Sequence, residues 1–221
     1  IKPDDIMGVT ERVVKYIFKK ALNQDIKIPF LRIPYDEAMR KYKSDKPDLR
    51  KNKKSDELAF CWVVDFPLFE YGKEEKRFKS MHHPFTMPDL ESFKQNKEKA
   101  KSLAYDLVLN GVEIAGGSIR IHNQNIQQEV FDVLGIGKKE AQEKFGFLLE
   151  ALSYGAPPHG GIAFGFDRLV QIMAKEDSIR EVIAFPKNKE AKDVMLNAPS
   201  EIDVAQLKEA HIEVKGPKKK K

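Results

Sequence analysis

Two acidic residues flank an Asn-Gly pair in the stretch Tyr105-Asp106-Leu107-Val108-Leu109-Asn110-Gly111-Val112-Glu113-Ile114-Ala115. Asn-Gly between apolar runs is a strong signal for a tight β-hairpin, because both turn residues accept positive φ. With Asn110 and Gly111 as the two-residue loop, Leu109 faces Val112 and Val108 faces Glu113. Asp106 lies two residues from Val108, so it shares a sheet face with Glu113 in a diagonal cross-strand position. Two like charges there repel unless a cation lies between them. Mg²⁺ suits such a place, since it takes one or two carboxylates and completes its shell with water and phosphate oxygens. A solvent-facing hairpin with two unrelated acids is equally compatible with this pattern taken alone.

The next residues, Gly116-Gly117-Ser118-Ile119-Arg120-Ile121-His122, tip the balance. Strict alternation from Glu113 would put Ile119 and Ile121 on the acidic face and bury Ser118, Arg120 and His122. One extra residue, absorbed as a bulge at Gly116-Gly117, sends the isoleucines inward and Arg120 toward the carboxylates. Glycines there also let a ligand lie against the backbone. A face holding Asp106, Glu113, Ser118 and Arg120 over bare glycines reads as a ligand site. A second candidate is Gly160-Gly161-Ile162-Ala163-Phe164-Gly165-Phe166-Asp167-Arg168-Leu169, a glycine-bearing strand turning into a helix. Asp167 is the expected N-cap, with Arg168 in the first turn. Free N–H groups at a helix start favour anions, and an arginine adds a bidentate partner for phosphate. By itself, a surface arginine on a capped helix is the commoner explanation of that pattern.

These residues need a scaffold. Ile6, Val9, Val13, Ile17 and Leu22 recur at near-helical spacing, which predicts an amphipathic helix over Pro3–Leu22, with Pro3 in its first turn. A short helix over Tyr35–Tyr42 precedes a polar, lysine-rich stretch over 44–55 that reads as a linker. Residues 59–66 (AFCWVVDF) are aromatic and β-branched and predict a buried strand stopped by Pro67. A polar hairpin over 69–81 leads into His82-His83-Pro84-Phe85-Thr86, and residues 97–104 lead into the next strand. Helices are predicted over 125–134 and 138–152, each followed by a glycine, Gly135 and Gly155, where a left-handed cap belongs. A strand over 160–166 and a helix over 167–174 complete the pattern.

Composition sets the bounds. With 221 residues, 41% hydrophobic and 14 Phe, the chain can bury one sizeable core, and no apolar run approaches the ~20 residues of a membrane helix. One cysteine, Cys61, rules out an internal disulfide and suits a reducing, cytoplasmic compartment. The five His and one Cys lack zinc-site spacing. The net charge of +5 resides largely in the lysine runs at 51–54 and 218–221, read as solvated segments rather than an RNA-binding surface.

The motifs together resemble one family. GIAFGFDRLV is similar to motif 3 of the class II aminoacyl-tRNA synthetases. YDLVLNGVEIAGGSIRIH, KFGFLLEALSYGAPPHGG and SIREVIAFPK resemble the aspartyl branch, and FCWVVDFPLFEY and HHPFT its bacterial type. The resemblance implies an α+β fold, an antiparallel sheet flanked by helices and incomplete at its N-terminal side. It implies activation of L-aspartate by ATP and Mg²⁺ and transfer to tRNA-Asp, by a protein that is a homodimer at full length. Residue by residue, Arg168 would hold the ATP γ-phosphate, with Gly165, Phe166 and Asp167 shaping that site. Asp106 and Glu113 would bind Mg²⁺, and Glu113 also the nucleotide. Arg120 would grip the aspartate side chain beside Ser118. His82 and His83 match a mobile loop closing over the amino acid, and adjacent histidines point in different directions, so at most one would touch it.

Against that pattern, the anticodon-binding β-barrel, motifs 1 and 2 and an insertion domain of about a hundred residues are absent. The expected organisation is a helical segment over 1–50, a linker over 51–58 at the insertion point, the catalytic remainder over 59–214 and a basic tail over 215–221. Little or no aminoacylation is expected from this chain alone. An asparaginyl-type relative and a non-catalytic nucleotide-binding or interaction module are the alternatives. A lysyl enzyme is disfavoured, because a cationic substrate needs an acid where Arg120 stands.

Overall fold

Asn110 and Gly111 both have positive φ, 53° and 83°, and the hairpin they close joins the two strands nearest the middle of the sheet. This is a computed structural model, and it describes residues 1–53 and 55–216. Lys54 and the lysine run at 218–221 lie outside the described residues. The chain divides into a unit over residues 1–169 and a second over 170–221.

The first unit carries α1 (Pro3–Leu22), β1 (Leu31–Pro34), α2 (Tyr35–Tyr42), β2 (Phe60–Val64), β3 (Phe69–Gly72), β4 (Arg77–Ser80), α3 (Leu90–Gln95), β5 (Ala104–Leu109), β6 (Val112–Ile119), α4 (Gln124–Leu134), α5 (Lys138–Ser153) and β7 (Gly160–Phe164). Its main sheet has the order β1-β2-β5-β6-β7, and β3-β4 form a separate hairpin. The architecture is the expected α+β with an antiparallel sheet, with one departure. β1, for which the sequence offered no strand signal, runs parallel to β2, pairing Leu31 with Cys61 and Ile33 with Val63. Parallel neighbours require a crossover, and α2 with the segment after it provides one. α6 (Phe166–Ala174) runs across the division between the units. In the second unit, the Ser178 hydroxyl accepts from the Arg180 N–H at a short 3₁₀ turn, and α7 covers Val204–Glu209.

One sheet face is apolar. Phe18 of α1 meets Phe60 edge-on at 5.5 Å, Phe30 stacks on Phe60 at 4.7 Å, and Trp62 packs edge-on against Tyr105 at 6.1 Å. Glu11 is the charged residue on the buried side of α1. Its Oε1 accepts from Trp62 Nε1 at 3.0 Å and from the Phe30 N–H at 3.1 Å. A buried carboxylate is tolerated there because it satisfies two donors that the core would otherwise strand. The opposite face begins with a second cluster of Ile33, Ala38, Cys61, Val63, Phe66, Ala104 and Val108. It turns polar along β5 and β6.

Two carbonyl-seeking donors held by one carboxylate make a sharp stability test. Glu11→Ala should destabilise the chain by about 3 kcal/mol in urea unfolding, while Glu11→Gln, which keeps an acceptor, should lose markedly less.

Candidate functional site

The site is built by register. β5 and β6 pair Leu109 with Val112 and Val108 with Glu113, and then Leu107 with Ala115, so Ile114 is an extra residue on β6. The sequence placed the bulge at Gly116-Gly117; it lies two residues earlier, against the tight turn. Its consequence is the expected one. Asp106 pairs with Gly116 and Ala104 with Ser118, so Asp106, Glu113, Gly116, Ser118 and Arg120 share a face, while Ile119 and Ile121 are buried. A Cβ on Gly116 would stand 2.6 Å from Asp106 Oδ1 and 3.5 Å from Glu113 Oε1, so both carboxylates converge on one point above that glycine. Gly117 has a different reason to be glycine. A Cβ there would lie 2.0 Å from the Gly161 carbonyl on β7, on the side away from the acids.

The bulge also reaches the second motif. The Ile114 carbonyl accepts from the Gly165 N–H at 2.9 Å, and the Glu113 carbonyl accepts from Arg168 Nη1 at 2.9 Å. Arg168 is exposed, and the exposed Phe166 begins α6. Asp167 is therefore not the N-cap that the sequence suggested. The Gly165 carbonyl accepts from the Leu169 N–H at 3.0 Å, which puts Gly165 at the cap and Asp167 inside the first turn.

The two histidines diverge. His82 Nε2 lies 3.7 Å from Asp106 Oδ2, and its ring meets Phe66 edge-on. His83 faces Arg120, whose Nη1 packs against both ring nitrogens and lies 3.0 Å from Nδ1. That loop is anchored behind. Pro84 O accepts from Gln127 Nε2 at 2.8 Å, Phe85 sits among Phe131 and Phe145, and Phe85 O accepts from the Ile121 N–H. Together His82, His83, Asp106, Glu113, Gly116, Gly117, Ser118, Arg120 and Ala163 line a cavity of about 290 Å³. A larger one of about 520 Å³ lies apart from them, beside β1 and the start of β2.

Electrostatics follow from burial. Burial raises the Asp106 pKa, opposed by His82 and reinforced by the charges of Glu113 and Asp45. Burial also lowers that of Arg120. His83 is pushed down to about 4 by burial and then by the neighbouring Arg120 and His82 charges. Ser118 Oγ is buried with no hydrogen-bond partner in the protein, and it lines the cavity. A buried donor of this kind calls for a ligand or water. Among the described residues no group of three or more His, Cys, Asp or Glu could hold a metal. Two converging carboxylates fit an ion that fills the rest of its shell from water and phosphate.

Two participants escaped the sequence. Tyr105, buried on the far face, donates its hydroxyl to Gly161 O at 2.9 Å and so ties β5 to β7 across β6. Lys46, taken as part of a linker, places Nζ 3.2 Å from Glu113 Oε2. Neither carries a local signal, because each acts on a residue more than fifty positions away.

The comparisons with known proteins agree with the geometry. Residues 1–189 match the family of class II tRNA synthetases (D, K and N). An aspartate–tRNA(Asp/Asn) ligase of Heliobacterium modesticaldum is 54% identical over 171 residues, covering 74% of this chain and 28% of that protein. One from Thermotoga maritima is 35% identical over 335 aligned residues, covering 96% of this chain and 58% of the relative. That span exceeds the 221 residues here, so the relative holds additional residues inside it. The chain thus spans between about a quarter and three-fifths of these relatives' length. In fold it is similar to an Entamoeba histolytica aspartyl-tRNA synthetase, with TM-score 0.63 and 19% identity over 87% of this chain and 42% of that one. It is also similar to a Pyrococcus horikoshii asparaginyl-tRNA synthetase complexed with asparaginyl-adenylate, with TM-score 0.60 and 25% identity over 86% and 46%. The match over residues 1–189, a stretch that takes in both the bulged hairpin and the strand-to-helix turn with Arg168, makes this chain a member of the class II tRNA synthetases of the D, K and N group.

Proposed function

We propose that this chain forms the ATP- and aspartate-binding part of an aspartate–tRNA ligase. The observation that carries the reading is the shared face of Asp106, Glu113, Ser118 and Arg120, with Arg168 hydrogen-bonded to the Glu113 backbone beside it. Acids at one end of the cavity suit a metal-bound triphosphate, and the guanidinium at the other suits an acidic amino acid. Asp106 and Glu113 would hold Mg²⁺, which supplies charge neutralisation at the phosphates. Arg168, exposed at the start of α6, would add a donor fork for the γ-phosphate, with Gly165 and Phe166 bounding that end. The reaction is attack of the aspartate α-carboxylate on the ATP α-phosphorus with loss of pyrophosphate, followed by attack of a ribose hydroxyl of the terminal adenosine of tRNA-Asp on the adenylate carbonyl, with loss of AMP and the hydroxyl proton. Such chemistry depends on positioning and electrostatics, with no covalent enzyme intermediate.

Arg120 is the proposed discriminator. A guanidinium has donors only, so a carboxylate accepts from it bidentately while a carboxamide offers a single oxygen. Neutral His83 accepts from Arg120 and holds the fork without competing for charge. The name shared by several relatives includes both tRNA-Asp and tRNA-Asn. We extend to this chain the amino acid, aspartate, with tRNA-Asp as acceptor. A cytoplasmic setting and a dimer in the longer protein belong to the same proposal. Among the described residues no helix is long and apolar enough to cross a membrane.

Calorimetric titration of ATP–Mg²⁺ into the purified chain should show binding that Arg168→Ala weakens about tenfold or more. An aspartyl-adenylate analogue should bind more tightly than its asparaginyl counterpart. Equal affinity, or no effect of Arg168→Ala, would count against the reading. Aspartate-dependent ATP–pyrophosphate exchange by the chain alone should be weak or undetectable.

His83 provides a pH test. Its folded pKa, about 4, lies below the ordinary 6.5, so the unfolded chain binds the extra proton first. Its contribution to stability is therefore complete above about pH 6.5 and is lost as pH falls toward 4. Proton NMR of the imidazole should give a midpoint below 5, and Arg120→Met should move it upward.

A further inference from the structure

Residues 44–50, SDKPDLR, form a turn rather than a slack connection. Arg50 clasps Asp48 through Nε–Oδ1 at 3.0 Å and Nη2–Oδ2 at 2.8 Å, and both side chains are mostly buried. The Lys46 N–H donates to Ser44 Oγ, and Leu49 packs on the apolar cluster beneath β2 and β5. Asp48 Cβ and the Lys46 carbonyl lie against the Gly111 turn. The backbone of Lys46 is thereby held over the hairpin, while its side chain remains 42% exposed and has room to withdraw. Its ammonium reaches Glu113 Oε2 at 3.2 Å.

We propose that Lys46 is the resting counter-ion of the Asp106–Glu113 pair, standing in for a divalent cation and released when one enters. This rests on the metal assignment made above. Lys46 meets only Glu113, and Asp106 has the His82 imidazole at 3.7 Å, so a divalent ion that engages both carboxylates at once gains more from the pair than Lys46 does. Glu113 turns Oε1 toward the point it shares with Asp106 and Oε2 toward Lys46, so a divalent ion at that point draws charge from the same carboxylate and repels the ammonium across it, loosening the Lys46 pair. The unpartnered Ser118 hydroxyl in the same cavity marks the place as awaiting a further ligand. Lys46 offsets the charge of Glu113 in the empty site.

The test uses Mn²⁺ alone, without nucleotide, with the free ion read by electron paramagnetic resonance. Lys46→Met should tighten Mn²⁺ binding about fivefold, the factor of a part-exposed ion pair. Lys46→Arg should stay within about twofold of the unaltered chain, and Glu113→Gln should abolish binding. In the unaltered chain, amine-selective acetylation of Lys46, followed by mass spectrometry, should rise on adding Mg²⁺, and should not rise in Glu113→Gln. Unchanged or weaker Mn²⁺ binding in a folded Lys46→Met variant would overturn the proposal, as would Lys46 labelling that the metal does not move. Retention of Mn²⁺ binding by Glu113→Gln would remove the metal assignment itself, and this inference with it.

Discussion

The arrangement depends on one extra residue in one strand. Ile114 has no partner on β5, and that single insertion inverts the faces of everything after it on β6. Without it, Ser118 and Arg120 would lie against the Trp62 side of the sheet, burying a guanidinium in an apolar layer at prohibitive cost. With it, they join Asp106 and Glu113, and Ile119 and Ile121 enter the core. The same kink aims the Glu113 and Ile114 carbonyls at Arg168 and Gly165. A bulge next to a functional site re-aims side chains and ends regular pairing, and here it also joins the two chemical motifs.

The sheet divides its labour by face. The α1 side is closed by stacked and edge-on aromatics, and its one buried acid, Glu11, is fully engaged by Trp62 and Phe30. The other side carries charge that is only partly compensated. Asp106 is buried beside a second carboxylate, and Arg120 is desolvated against a neutral histidine. Groups left in this state are costly in an empty cavity and become favourable once an oppositely charged ligand arrives. The histidine loop borrows rigidity from behind, where Phe85 is held by Phe131 and Phe145 and Pro84 by Gln127. A site loop supported in that way holds its side chains to a narrow range of positions.

Much of this was legible in the residues. The Asn-Gly hairpin and its first two cross-strand pairs followed from turn chemistry, and the extent of α1 from Pro3 and helical spacing, because those signals act over a few positions. The buried face of α1 is not the stripe that spacing named: Met7, Val14 and Phe18 join Ile6 in the core, while Val9, Val13 and Leu22 are exposed, because β2 and its neighbours choose which side is covered. The need for a bulge followed from counting faces. Its position did not, since either the glycines or the turn could absorb the extra residue. Gly116 and Gly117 looked alike as letters. Only the neighbouring strands separate them, one cleared for Asp106 and the other for the Gly161 backbone.

What the sequence determined alone was therefore local and chemical: which residues could bear charge, which strand-to-helix turn could face an anion, and which family the motifs resemble. Tertiary structure decided the rest, because it rests on contacts between residues far apart in the chain. β1 becomes a parallel strand only once β2 is beside it, and Gly165 takes the cap because the Ile114 carbonyl claims its N–H. The segment that read as linker becomes a clasped turn because Leu49 finds a core and Lys46 finds Glu113. Composition marks such a segment as polar and lysine-rich, but the charge it will meet is set by the fold.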